Sequence, residues 1–301
     1  MAKVAFIGLG TMGAPMARNV LKHGHETAVY DVHAPAMEAF RGTRARLASS
    51  PVDAATDAEI VVTVLPTSQH VDDAMLGPDG AAGRLEAGSL LVDCTTADPV
   101  RSMALAQKLA TRGVRMVDAA LGRPPWDAEA GTLMFMVGGN DADVERARTV
   151  LDCMGNEIIR CGPQGNGTKV KVINNYMSVC GMVLAAETLA FGSKAGIDRD
   201  VLVKVLQSTV AGRGAINVLY PKRVLVGDLS PIFAMRLAFK DLGLALDLGA
   251  HLGTPLGMGA AGRQELALGG PQGRMDQDVT ALLLVLEAIA AARTSGAPTA
   301  S

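Results

Sequence analysis

Residues 3–24 read "KVAFIGLGTMGAPMARNVLKHG", and the order of signals in them decides the fold. A short run of buried-strand type meets a glycine turn, and the turn opens directly into a helical pattern that stops at Gly24. Gly8, Gly10 and Gly13 stand in GxGxxG spacing. In that spacing the first glycine permits a tight turn and the second lets the backbone approach a pyrophosphate. The third allows close packing of helix on strand at the positive end of the helix. Asp31 ends the next strand-like run, eighteen residues after Gly13, where a carboxylate accepts hydrogen bonds from a ribose 2′-hydroxyl. Such a carboxylate repels a 2′-phosphate, and Val32 and His33 follow it rather than an arginine, so the expected cofactor is NAD(H).

Outward from that stretch, near-continuously apolar runs recur at 27–31 ("TAVYD"), 59–65 ("EIVVTVL"), 89–94 ("SLLVDC") and 114–121 ("VRMVDAAL"). Each is bounded by turn residues, as strands buried on both faces are. Helical patterns lie between them, so the expected class is α/β with a doubly wound parallel sheet. "LMFMVGG" (133–139) and "EIIRCG" (157–162) read as further strands around a helix with an acidic first turn, "DADVERARTVLDCMG". From about residue 164 the strand signals stop. Alanine, leucine and valine then recur at helical spacing, broken at "AGRGA", "GDLSP" and "GGPQG". The predicted domains are therefore 1–163, binding the dinucleotide, and 164–301, all helical.

At 301 residues, about half of them hydrophobic and about a fifth charged, the chain can build a large core. A net charge of −2 without like-charge runs gives no footprint for nucleic acid or an anionic membrane, so the expected partner is a small molecule. The N-terminus turns to glycine too early for a secretory signal, and the apolar stretch "VTALLLVLEAIAAA" is short and interrupted by Glu287. Four cysteines without CxxC spacing read as reduced core residues, which implies a cytoplasmic protein. No histidine pair has HExxH-like spacing, so no metal is expected.

A second informative stretch is "GPQGNGTKVKVINNYMS" (162–178), where Lys171, Asn174, Asn175 and Ser178 share one face of a helix that is otherwise apolar. A helix of this kind is expected to be buried, with its polar groups partnered. One reading is a structural hydrogen-bond network with a lysine whose stem packs on apolar surface. The other is a catalytic ammonium positioned by two amides in a substrate cleft.

At these residues the chain resembles the β-hydroxyacid dehydrogenases, the 3-hydroxyisobutyrate dehydrogenase-like family. "GLGTMGAPMARNVLKHGH", "DAALG…GTL…MVGG" and "GNGTKVKVINN" are similar to its three ordered signatures, and "FKDLGLALDLG" (239–249) and "DVTALL" (278–283) continue the likeness. The resemblance implies a Rossmann domain, a long interdomain helix and a helical domain that forms a homodimer or homotetramer. It also implies hydride transfer between a nicotinamide and a short hydroxyacid or its carbonyl partner. Lys171 matches the catalytic lysine, and Asn174 and Asn175 match the asparagines beside it. "DCTTADP" (93–99) is similar to a strand-end element that places Thr96 beside nicotinamide and substrate. Lys240 matches a lysine reaching the same cleft, or else it is a solvated helix-face charge. Thr11, Met12, Leu65 and Pro66 complete the expected cofactor contacts.

One stretch departs from the family. Where most members read "DAPVSGG", this chain reads "DAALGRP" (118–124). Gly122 removes a hydroxyl, Pro124 removes an N–H and Arg123 adds a guanidinium. A planar five-donor fork suits an anion with several oxygens, a sulfonate best of all, and this variant looks like the branch of the family that reduces a three-carbon sulfonate aldehyde. Arginine also binds carboxylates, which keeps succinic semialdehyde open, and a loop arginine that merely orders the proline turn is the other reading. Trp126, just after the prolines, either caps the pocket or packs in the loop.

Overall fold

The structure is a computed structural model that describes residues 1–194, 197–208, 215–251 and 257–294. It divides into two compact units, Met1–Lys171 and Val172–Ser301. In the first unit β1 (Lys3–Ile7), α1 (Gly13–Lys22), β2 (Glu26–Tyr30), α2 (Ala34–Glu38), β3 (Arg46–Leu47), α3 (Pro51–Ala54) and β4 (Ile60–Thr63) come in turn. Then follow α4 (Ser68–Leu76), β5 (Leu90–Asp93), α5 (Pro99–Ala110), β6 (Arg115–Gly122), α6 (Pro125–Ala130), β7 (Leu133–Gly138), α7 (Asp141–Met154) and β8 (Gly155–Gly162).

The eight strands form one sheet in the order β3-β2-β1-β4-β5-β6-β7-β8. Strands β1 to β6 are parallel, whereas β7 pairs with β6 antiparallel and β8 runs parallel to β7. The expected doubly wound parallel sheet is thus present in β1 to β6, and the β7–β8 pair runs the other way. A parallel crossover needs a dozen or more residues, and only the short segment holding α6 links β6 to β7, so the chain returns as a hairpin.

Alternation along β1 shows why the strands read as continuous apolar runs. Val4 and Phe6 enter one core layer with Val62, Val92 and Phe135, while Ala5 and Ile7 enter the other with Val61, Leu91 and Leu109. Both faces are covered by helices, and each large side chain so buried contributes about 1.5–3 kcal/mol.

From Asn166 onward the regular elements among the described residues are helices: α8 (Asn166–Lys194), α9 (Arg199–Ser208), α10 (Ala215–Val218), α11 (Met235–His251), α12 (Gly257–Ala267) and α13 (Leu282–Thr294). Their only strand-like pairing is an isolated bridge between Ala234 and Asp278. The break read at "AGRGA" falls largely outside the described residues. The core of this unit gathers Val179 and Val183 of α8 with Tyr220, Met235, Leu242, Leu266 and Leu283. Tyr220 is fully buried and its hydroxyl donates to the Met182 carbonyl at 2.8 Å, satisfying the one polar atom the ring brings in. Among the described residues no helix is long and apolar enough to cross a membrane.

Candidate active site

The order of strands places a topological switch between β1 and β4, and in doubly wound sheets ligands bind outside the carboxyl ends of the strands at such a point. The glycine turn stands there. Gly8 has φ +101°, and a Cβ on it would lie 2.2 Å from the Val64 carbonyl oxygen; one on Gly13 would lie 2.0 Å from the Gly8 carbonyl oxygen. Gly10 differs, because nothing lies within 4 Å of a Cβ built there. Two glycines are thus demanded by packing and the third leaves open space beside the N-terminus of α1, which Met12 enters without a side-chain cap. That combination fits a dinucleotide pyrophosphate, with Thr11 and Met12 in the turn.

Asp31 is tied to the same turn. One carboxylate oxygen accepts from the Leu9 N–H at 2.6 Å and the other from the His33 N–H at 2.8 Å. Each oxygen keeps a second lone pair for a ribose hydroxyl. The residue lines an open pocket of about 350 Å³ with Tyr30, Val32, Met37 and Leu47.

At the ends of β4 and β5 a buried network fixes the backbone. Thr63 donates its hydroxyl to Asp93 at 2.9 Å, the Thr95 N–H donates to the same oxygen at 3.0 Å, and the Leu65 N–H donates to the Thr95 hydroxyl at 3.0 Å. Leu65 and Pro66 on one strand end and Thr96 on the other are positioned by these bonds. Burial pushes the Asp93 carboxyl up to about 6 and raises the neighbouring Cys94 thiol.

Asp118, paired in register with Asp93, is completely buried in β6. Its carboxylate accepts from the Gly165 N–H and the Thr168 N–H, both at 2.7 Å, and from the Thr168 hydroxyl at 3.2 Å. The first turn of α8 is thereby pinned to the sheet, one turn ahead of Lys171. Burial raises the Asp118 carboxyl, and these hydrogen bonds oppose the rise. Sequence reading missed this residue as a site determinant.

Arg123 follows the last residue of β6 in left-handed backbone, φ +74°. Its Nη1 donates to the Thr132 carbonyl and, at 2.7 Å, to Asn156 Oδ1, while Nη2 is bonded to the Glu157 carboxylate. These partners lie at the starts of β7 and β8, on the far side of β6 from β5 and its Thr96. Gly122 leaves the space that the end of the Met134 side chain fills. Trp126 in α6 is partly exposed.

Along α8 the polar residues divide. Val172, Asn175, Val179, Val183 and Ala186 form a buried stripe, but Asn174 and Ser178 are exposed together with Ile173 (58 % exposed) and Met177 (79 %). The expectation of an all-round buried helix is therefore corrected: one stripe at about half-heptad spacing carries the core, and the apolar count does not reveal that the opposite face is open. Lys171 is half-buried. Asn175 donates to the buried Asp241 carboxylate and accepts from Asn174 at 3.4 Å. Lys240 Nζ stands 3.0 Å from the other Asp241 oxygen. Asp241 thus gathers Asn175 and Lys240, a role that "FKDLGLALDLG" (239–249) does not disclose as sequence.

Comparison with known proteins agrees with this architecture. The family described as "NAD binding domain of 6-phosphogluconate dehydrogenase" matches residues 3–162, and that described as "NAD-binding of NADP-dependent 3-hydroxyisobutyrate dehydrogenase" matches residues 165–286. The chain is 41 % identical over 283 residues to 3-sulfolactaldehyde reductase of Escherichia coli K12, covering 94 % of this chain and 95 % of that one. It is 37 % identical over 265 residues to 3-hydroxyisobutyrate dehydrogenase of Pseudomonas aeruginosa, covering 85 % and 89 %. The solved structure of Mycobacterium tuberculosis 3-hydroxyisobutyrate dehydrogenase with L-serine superposes with a TM-score of 0.83 at 30 % identity, over 95 % of this chain and 99 % of that one. A glycine turn shaped for a pyrophosphate, a separate helical unit and matches across nearly the whole length make this chain an NAD-dependent oxidoreductase of the 3-hydroxyisobutyrate dehydrogenase family.

Proposed function

We propose that the chain reduces 3-sulfolactaldehyde to 2,3-dihydroxypropane-1-sulfonate at the expense of NADH. The observation that carries the substrate is Arg123: a cation in left-handed backbone, at a position where most of the family resembled has glycine, one residue beyond β6. An L-residue is disfavoured in that conformation, so a guanidinium there calls for a role. The 41 % identical relative bears the name of this reductase and supports the same reading.

The reaction adds hydride to the aldehyde carbon and a proton to its oxygen. The glycine turn, with Asp31 on the ribose, would hold NADH, which would supply the hydride when bound. Lys171 carries the proton as an ammonium, stabilises the oxygen as negative charge develops and donates to it. Asn175, fixed by Asp241, orients the amine, while Thr96 and Lys240 complete the surroundings of the reacting carbonyl. Arg123, Asn174 and Ser178 bind the sulfonate through charge-assisted and neutral hydrogen bonds.

A second reading has a specific observation in its favour. The Arg123 guanidinium already holds Glu157, Asn156 and Thr132, as a purely structural arginine would. Under that reading the substrate is a carboxylate such as succinic semialdehyde. Initial rates of NADH oxidation with racemic sulfolactaldehyde and with succinic semialdehyde, for wild type and Arg123→Ala, separate the two. The proposal expects a sulfonate preference of at least about tenfold that collapses in the variant, as the loss of a charge-assisted contact implies. Equal rates with both aldehydes, unchanged by the substitution, would make Arg123 structural and leave the substrate an unspecified short hydroxyacid.

A further inference from the structure

The Arg123 guanidinium has three acceptors in this structure, and only Glu157 among them is charged. All three sit on the β7–β8 side of β6, whereas Gly8, Leu65 and Thr96 stand at the ends of β1, β4 and β5 on its other side. A guanidinium that serves an anion beside Thr96 must therefore leave Glu157.

Exposure makes that exchange feasible. The side chains of Arg123 and Glu157 keep 33 % and 47 % of their surface in water, so solvent can solvate each as they part. Exposed ion pairs of this kind contribute little to stability. The backbone at Arg123 sets the direction of Cβ, which leaves the side-chain torsions to choose between the two sides of β6. Five N–H donors are available, and Glu157, Asn156 and Thr132 use three of them, both on Nη1 and one on Nη2.

We infer that Glu157 is a resident competitor for Arg123, an internal anion that a substrate anion displaces, and so a residue that sets the affinity of the site for its substrate. The inference rests on the proposed reading of Arg123 as the anion-binding residue. A ligand without negative charge does not displace a carboxylate from a guanidinium, whereas a sulfonate or carboxylate exchanges one charge-assisted contact for another. Glu157 therefore adds a threshold against neutral aldehydes, a form of discrimination by disfavouring the wrong partner.

The test measures KM and kcat for the preferred anionic aldehyde in wild type, Glu157→Gln, Glu157→Ala, Arg123→Ala and the double variant Arg123→Ala/Glu157→Gln. Glu157→Gln removes the charge and keeps the shape, and Glu157→Ala removes both. A competitor of an exposed pair predicts a KM lower by about two- to fivefold in both Glu157 variants, with a smaller change in kcat. In the Arg123→Ala background the Glu157 substitution then has no effect. If Arg123→Ala raises KM while the Glu157 variants leave it unchanged or raise it, Glu157 supports the arginine or stands by, and the inference is wrong although the anion reading survives. If Arg123→Ala leaves KM unchanged, the anion reading fails and the competitor with it.

Discussion

Asp118 and Arg123 stand five positions apart on the same stretch of chain, and the structure treats their charges in opposite ways. The Asp118 carboxylate is sealed inside β6, with both oxygens hydrogen-bonded to the loop and first turn that open α8. The Arg123 guanidinium lies at the surface in left-handed backbone, held by a half-exposed glutamate and two neutral acceptors. A charge without water needs fixed partners, and such a residue positions. A charge in water can change partners, and such a residue is suited to recognition. The first kind of site here serves the helix that carries Lys171, and in the proposed reading the second serves the choice of substrate.

If that contrast holds, the largest loss of stability comes from the sealed end. Asp118→Ala strands two buried N–H groups, and the expected cost is about 2–4 kcal/mol in urea or thermal unfolding. A change below about 1 kcal/mol would show that the first turn of α8 is held by other contacts. Asp93, the register partner of Asp118, sharpens the same point through pH. Burial holds its carboxyl up at about 6, above the ordinary value of 3.8. Between those values the folded chain binds more protons than the unfolded one, so stability falls as pH rises from about 4 through about 6 and then levels. The contribution is on the order of 2–3 kcal/mol, and Asp93→Asn should flatten this part of the stability curve. An unaltered slope would mean that Asp93 ionises without penalty.

The effect at Arg123 is smaller and opposite in sign. Arg123→Gly relieves a left-handed backbone that costs a non-glycine residue about 1 kcal/mol, while removing an exposed pair worth about 0–1 kcal/mol. The variant is expected to be at least as stable as wild type, by melting temperature, and to lack the proposed preference for the sulfonate. A loss of more than about 2 kcal/mol would place Arg123 with the sealed residues.

The same division explains what could be read from the sequence. β1, β2, β4, β5 and β6 were legible because burial on both faces leaves a continuous apolar run, and the glycine turn with Asp31 because its spacing is local. The reversal at β7 was not legible, since an apolar run has no direction. Nor were β3, with two residues, and α4, whose polar "SQHVDDAML" hides a Thr67 cap bonded to the His70 N–H. At the site, candidates such as Lys171 and Arg123 stood out by residue type. Their partners did not, because the bonds of Asp118 to Thr168, Glu157 to Arg123 and Asp241 to Asn175 join positions dozens of residues apart.

The most direct test is a crystal structure of the enzyme with NADH and 2,3-dihydroxypropane-1-sulfonate bound. The account predicts that the Arg123 guanidinium contacts the sulfonate oxygens and has left Glu157, while Gly165 and Thr168 still donate to Asp118. A sulfonate bound elsewhere, with Arg123 still on Glu157, would contradict it.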